Sequence, residues 1–130
     1  MRWPSLEVDY WELRSGEEAH AANPDQFWLP PAAARSDLRP GCAVKLIFDI
    51  EGVEEDGSIA VQGERMWVLV SEVTADGYFG ILQNDPMSLD NSIFYLGRGA
   101  EVPFRSEHVV DLGPVPANPV QVPVRSWPRA

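Results

Sequence analysis

Apolar and polar residues alternate along the middle of this chain with the period of two that is typical of β-strands. Within residues 43–50 every even position is apolar, whereas the odd positions include Lys45 and Asp49. This alternation predicts a strand with one face in the core. Extended to the neighbouring segments, it predicts that the following side chains are buried: Leu46, Phe48, Met66, Val68, Val70, Leu82 and Val110.

Two apolar runs flank a short Asp-Gly turn later in the chain, which is a strong signal for a β-hairpin. The runs cover residues 66–73 and 78–84, and the turn is Ala75-Asp76-Gly77. The first run is apolar on both of its faces. We therefore expect a central strand that is covered on each side.

The remaining segments complete a mainly β prediction. Residues 102–104 and 107–112 are expected to be strands, and the acidic, glycine-bearing residues 51–63 are expected to form a long exposed hairpin loop. Short helical turns are predicted at residues 17–22 and 32–38. The fold class that follows is a small, strongly bent antiparallel sheet or a partly open SH3-like barrel, with short helical turns on its N-terminal side.

The sequence divides into three parts. Residues 1–26 form an acidic N-terminal arm with embedded aromatic residues, and residues 27–112 form the β domain. Residues 113–130 contain prolines at positions 114, 116, 119, 123 and 128, which exclude a central strand. This tail is expected to be extended and peripheral, either packed on the domain or trailing from it.

Composition adds constraints on partners and compartment. The 130 residues suit one domain, and the net charge of −10 would repel a phosphate backbone, so nucleic acid is not expected as a partner. The same charge would attract a basic protein partner. No apolar run approaches the roughly 20 residues of a membrane helix, and no signal-peptide pattern opens the chain. With Cys42 as the single cysteine, a cytoplasmic protein is expected.

No motif for catalysis, cofactor binding or metal binding is found in the sequence. His20, His108 and Cys42 lack the paired spacing of zinc sites, and the acidic residues of 49–56 do not fit a calcium-binding loop. Glu64 and Glu107 remain candidates for an acid/base pair, which only geometry can decide. Trp28 and Trp67 are predicted to be core residues.

Two short motifs occur in a recognisable order. Glu64-Arg65-Met66-Trp67-Val68 is followed by Gly80-Ile81-Leu82-Gln83-Asn84-Asp85-Pro86, with Lys45-Leu46-Ile47-Phe48 upstream and Val110-Asp111 downstream. Between Phe27 and Leu112 the chain resembles a bacterial family of small proteins known as domain of unknown function 2314. The resemblance implies a compact β-rich domain, and it implies no activity or catalytic residues.

The segment 84–97 is predicted to carry a partner-facing surface, because loops anchored on a rigid scaffold often bind ligands. Its candidate residues are Asn84, Asp85, Met87, Asp90, Phe94 and Tyr95. The alternative is that Ile93, Phe94 and Leu96 fold back and plug one end of the barrel.

Three function classes follow from the sequence. The first is a non-enzymatic interaction module, in its most specific form an immunity-type protein that binds a basic toxin. The second is a small-ligand binder or enzyme with a pocket between the 84–97 loop and the N-terminal aromatic residues. The third is an SH3- or Tudor-like peptide reader.

Overall fold

A computed structural model describes residues 2–87 and 96–129 and contains one antiparallel, curled sheet of six strands. The strands are β1 Trp11–Leu13, β2 Ala43–Val53, β3 Ile59–Val73, β4 Tyr78–Leu82, β5 Glu101–Phe104 and β6 Val109–Gly113. Three short α-helices lie on the N-terminal side: α1 Leu6–Asp9, α2 Gly16–Ala22 and α3 Ala32–Arg35. A 3₁₀ helix, Ser106–His108, precedes β6. The predicted fold class, a bent sheet or partly open barrel with short helical turns, is confirmed.

Two strands pair with the same edge of β2. Along the strand order β1-β2-β3-β4-β5, residues 48–50 of β2 pair with β1, whereas residues 43–46 pair with β6. Irregularities between Lys45 and Leu46, and between Val70 and Glu72, add local bending. The result is a half-barrel that is open between β1 and β5.

The concave side of the sheet holds the core. All seven side chains that the alternation predicts as buried are buried, so that prediction is confirmed. Phe48, Phe79 and Phe104 are the largest fully buried side chains. Each end of the chain contributes a tryptophan to the core. The ring centroid of Trp11 lies 5.7 Å from that of Phe48 and 5.7 Å from that of Trp127.

The other side of the sheet is covered too. A Cβ atom at Gly16 of α2 would meet Val110 at 2.8 Å and Leu29 at 3.0 Å, so this helix lies directly on β6. Leu69 of β3 is 6% exposed, although it alternates with the core residue Val70. The expectation that the central strand is covered on each side is therefore confirmed.

Two predictions about particular segments are wrong. Residues 51–63 are not a long loop, because β2 continues to Val53 and β3 begins at Ile59. Trp28 is not a core residue, since 65% of it is exposed. It belongs to an extended surface segment that Pro30 and Pro31 keep out of a helix. Trp67 is half-buried, with the Lys45 amine 4.7 Å from its ring centroid.

The proline-rich tail is held against the sheet. The Gln83 side chain exchanges two hydrogen bonds with the backbone of Val120, each 2.9 Å long. Further along, the Arg98 guanidinium donates to the Asn118 carbonyl over 2.7 Å. Among the described residues, no helix is long and apolar enough to cross a membrane.

Candidate functional site: the distal arm of the β2–β3 hairpin

The far end of the β2–β3 hairpin, residues 51–61, extends past the core; we name it the distal arm. Its turn is closed by two backbone bonds, Glu54 N–H to the Ser58 carbonyl (2.8 Å) and Gly57 N–H to the Glu54 carbonyl (2.9 Å). The Asp56 carboxylate accepts bonds from the N–H and hydroxyl of Ser58. Gly57 has φ +86°, a conformation that glycine adopts without strain. The local sequence therefore specifies this turn.

One face of the distal arm is apolar and exposed. Val53 is paired with Ile59, and Glu51 with Val61, so these four side chains share a face. The exposed fractions are 73% for Val53, 66% for Ile59 and 50% for Val61. Single exposed apolar residues are ordinary, whereas a contiguous group often marks an interaction site.

Negative charge surrounds this face. Between Lys45 and Arg65 the chain has no basic residue but six carboxylates: Asp49, Glu51, Glu54, Glu55, Asp56 and Glu64. Within residues 2–87 and 96–129, no ion pair involves Glu51, Glu54, Glu55 or Asp56. The hydrogen bonds from Ser58 lower the pKa of Asp56 below its ordinary value. The arm therefore stays anionic at neutral pH.

An ion pair marks the boundary between the arm and the rest of the hairpin. The Arg14 guanidinium binds the Asp49 carboxylate across the ribbon. Gly63 makes room for it, because a Cβ there would lie 2.5 Å from an Arg14 nitrogen. Asp49 is thus neutralised, whereas the carboxylates at positions 51–56 beyond it are not.

Three of the predicted partner-facing residues, Asn84, Asp85 and Met87, lie in the described part of the 84–97 segment. Asn84 Oδ1 accepts the Trp67 N–H (2.8 Å), and Asp85 Oδ1 accepts the Arg98 N–H (2.9 Å). Met87 is 96% exposed, and its N–H donates to Glu64 Oε1 over 2.7 Å. Asn84 and Asp85 therefore organise the ends of the loop, whereas Met87 presents apolar surface beside β3.

The rest of that predicted loop is only partly described. Asp90, Phe94 and Tyr95 lie outside the described residues, as does Ile93. Leu96 is described and is fully buried in the core. The cavity beside the N-terminal aromatic residues is bounded by the C-terminal residues 125–128 rather than by residues 84–87.

The candidate acid/base pair receives other roles. Glu64 binds the Met87 N–H, whereas Glu107 lies 3.5 Å from the Ser15 hydroxyl and 3.5 Å from His108 Nε2. Burial lowers the pKa of His108 to about 4, so its imidazole is neutral at physiological pH. Its Nδ1 accepts the Arg105 N–H (2.9 Å), which fixes the ring at the start of β6.

The candidate metal ligands do not come together. His20 Nδ1 lies 2.6 Å from the Phe27 carbonyl oxygen, and Cys42 is half-buried against the core. No group of three or more His, Cys, Asp or Glu side chains within the described part of the chain is placed to hold a metal ion.

The distal arm does not follow from the composition of residues 51–63, because acidic residues and glycines are typical of loops. The useful signal was the position of the β-branched residues. Val53, Ile59 and Val61 lie on either side of Asp56-Gly57, as expected for two short strands around a tight turn.

Comparison with known proteins adds no relative. No protein-family model, curated protein or solved structure matches this chain. The resemblance to the domain of unknown function 2314 therefore stays a prediction.

Proposed function

We propose that this protein is a non-enzymatic interaction module that binds a basic protein through the distal arm. The observation that supports the proposal is the exposed apolar group Val53, Ile59 and Val61 beside four carboxylates that form no ion pair among the described residues: Glu51, Glu54, Glu55 and Asp56. A partner with an apolar patch inside a basic rim would be complementary to this surface.

The two components of the surface have different roles in binding. Burying apolar area contributes about 25 cal/mol per Å², which favours a stable complex once the surfaces meet. The carboxylates act earlier, since opposite charge raises the rate of encounter and suppresses acidic competitors. The most specific form of the proposal is an immunity-type protein that neutralises a basic toxin.

Binding to an isolated partner tests the role of the arm. We would crosslink the tagged protein in lysate of its host, identify the partner by mass spectrometry, and titrate both purified proteins. The test variant is Val53→Ser with Ile59→Ser. The matched control is Val115→Ser with Val122→Ser, which changes two tail valines that are 48% and 75% exposed.

The expected partner is basic, and its dissociation constant should rise at least about tenfold, or about 1.4 kcal/mol, for the arm variant and stay constant for the control. Association should slow as salt is added, because screening shortens the reach of the arm's charge. An acidic partner, or equal weakening by both variants, would contradict the proposal. So would a partner that binds the arm variant as tightly as the wild-type protein.

A further inference from the structure

The open side of the half-barrel, which we name the seam, lies between β1 and β5. Tyr10 and Arg14 direct backbone bonds to β2, so the backbone N–H and C=O groups of the alternating residues Trp11 and Leu13 point away from β2. On the opposite side, β5 begins at Glu101 and is the last strand in the sheet order, with β4 on its other edge. The seam is therefore flanked by two strand edges, and strand edges bind extended peptides.

A segment of this chain already lies in the seam. Residues 124 and 125 run parallel to the chain that leads into β5, with a bridge between Ala100 and Arg125, and residues 126–129 follow them. Val124 N–H donates to the Gly99 carbonyl, and Glu101 N–H donates to the Arg125 carbonyl, each over 2.8 Å. These contacts involve backbone only, so they fix direction and register without selecting a sequence.

Selectivity comes first from Trp127. This residue is 9% exposed and packs edge-on against Trp11, with 5.7 Å between ring centroids. Its indole N–H donates to the Arg2 carbonyl (2.9 Å), and the Arg2 guanidinium lies 4.2 Å from its ring. The seam thus contains a socket for an aromatic ring with one polar edge.

The second selective contact is made by Glu101. Its side chain is 4% exposed. Its carboxylate accepts a hydrogen bond from the backbone N–H of Trp127 (2.8 Å) and two from the Arg129 guanidinium (2.7 and 2.9 Å). Burial by itself raises the pKa of Glu101, but the bonds from Arg129 and Trp127 outweigh it and lower that pKa. Two parallel bonds to one carboxylate suit the planar guanidinium of arginine better than the ammonium group of lysine.

Four other side chains of this part of the tail lie largely in solvent. Val122 and Val124 are 75% and 80% exposed, and Ser126 and Pro128 are exposed as well. What the seam recognises is therefore an extended backbone that carries an aromatic residue and, two positions later, an arginine. A cavity of about 340 Å³ beside the segment leaves space for a longer or bulkier ligand.

The geometry points to a second binding site: the seam is a docking groove for an extended, aromatic-x-arginine segment of a basic partner protein, and residues 124–129 of this chain occupy it as an intramolecular competitor. The charge fits, since the buried group that receives the ligand is a carboxylate on a protein of net charge −10. This site is separate from the distal arm, and the proposal for it does not depend on the function proposed for the arm.

Because residues 124–129 are attached to the domain, the length of their linker determines how strongly they compete with a separate ligand. A short linker gives an attached segment an effective concentration on the order of millimolar. A separate ligand must overcome that concentration, so the intact chain should bind a short peptide weakly. A variant without the two selective side chains should bind it more tightly.

A labelled peptide with the sequence of residues 124–129, Val-Arg-Ser-Trp-Pro-Arg, provides the test by fluorescence anisotropy. The full-length variant Trp127→Ala with Arg129→Ala vacates the seam. We expect saturable binding to this variant and at least about tenfold weaker binding to the wild-type chain. Adding Glu101→Gln to the variant, or replacing the last arginine of the peptide by alanine, should abolish binding.

Loss of Trp127 removes a core residue, so a second measurement uses the wild-type protein. In an NMR titration, millimolar unlabelled peptide should shift the Trp127 indole N–H resonance as the tail is displaced. The alanine peptide should leave it in place. The proposal is overturned if the folded variant takes up no peptide, or if the wild-type resonance does not move. It is overturned equally if the tail is found exchanged into a second copy of the chain, since the occupant would then not be a partner protein.

Discussion

The two ends of the β2–β3 hairpin belong to one continuous ladder but have opposite surroundings. At the base, Phe48 and Val68 are fully buried, with β6, β1 and β4 alongside and cover on both faces. On the distal arm, Val53 and Ile59 face each other across the same ladder and are 73% and 66% exposed. Similar β-branched and aromatic residues therefore stabilise the fold at one end and are available to a partner at the other.

The difference shows that strand pairing and burial are decided separately. Pairing follows from local sequence, because alternation and an Asp-Gly turn are sufficient to set the register. Burial requires another element on top of the strand. Nothing among the described residues covers the outer face of the arm, so substitutions at the two ends should have very different consequences.

The largest expected effect is at the base. Phe48→Ala should lower the free energy of unfolding by about 3–5 kcal/mol, because it leaves a cavity where a fully buried ring had been. Urea denaturation followed by fluorescence measures the change, with Ile59→Ala as the matched control on the arm. A loss below about 1 kcal/mol for Phe48→Ala would break the contrast between base and arm.

The next largest effect is expected from acid, which should lower the stability of the buried end of the hairpin, where β6 pairs with β2. His108 titrates near 4 in the folded protein against an ordinary value of 6.5, so folding excludes the proton from a ring faced by Glu107, Arg105 and Glu17. Stability is therefore full above about pH 6.5 and falls as the pH drops from there toward 4. Between pH 7.5 and 4.5 the free energy of unfolding should decrease by about 2–3 kcal/mol.

Denaturation curves measured across this range test the assignment. His108→Gln retains an acceptor for the Arg105 N–H but cannot be charged, so its curve should be flatter. If wild-type and variant lose the same stability, another group is responsible for the acid sensitivity.

A smaller effect is expected at the tip of the arm. Gly57→Ala places a Cβ in a left-handed conformation (φ +86°), which costs about 1–2 kcal/mol. Gly57→Asn is the control, since asparagine tolerates this conformation better. Hydrogen exchange should show the alanine change as faster exchange on the arm alone. Faster exchange in β6 as well would show that arm and base unfold as one unit.

The smallest effect is expected on the exposed face. Val53→Ser and Ile59→Ser should each change the free energy of unfolding by no more than about 0.5 kcal/mol, because water already surrounds these side chains. Thermal melts of the two single variants measure it. A drop of several degrees in either melting temperature would show that the face is covered in solution and would remove the basis for the proposed docking surface.

Much of the fold follows from the sequence alone. Period-two alternation set the core residues of β2 and β3, and Ala75-Asp76-Gly77 set the hairpin between β3 and β4, because both are local rules about side-chain direction and turn geometry. The helical turns predicted at residues 17–22 and 32–38 correspond to the helices Gly16–Ala22 and Ala32–Arg35, the second of which is three residues shorter than predicted. The sequence also shows the acidic charge near Glu54, whereas only the structure shows that this charge lies on an ordered hairpin.

Only the tertiary structure decided which segments meet. Trp11 and Trp127 are 116 residues apart, yet they pack together with Phe48, and no local pattern specifies such a contact. The Glu101–Arg129 bond depends likewise on how the tail crosses the sheet. Local sequence determines strands and turns because those depend on neighbouring residues. The seam, its occupant and the bare face of the arm depend on long-range packing, which exists only once the chain has folded.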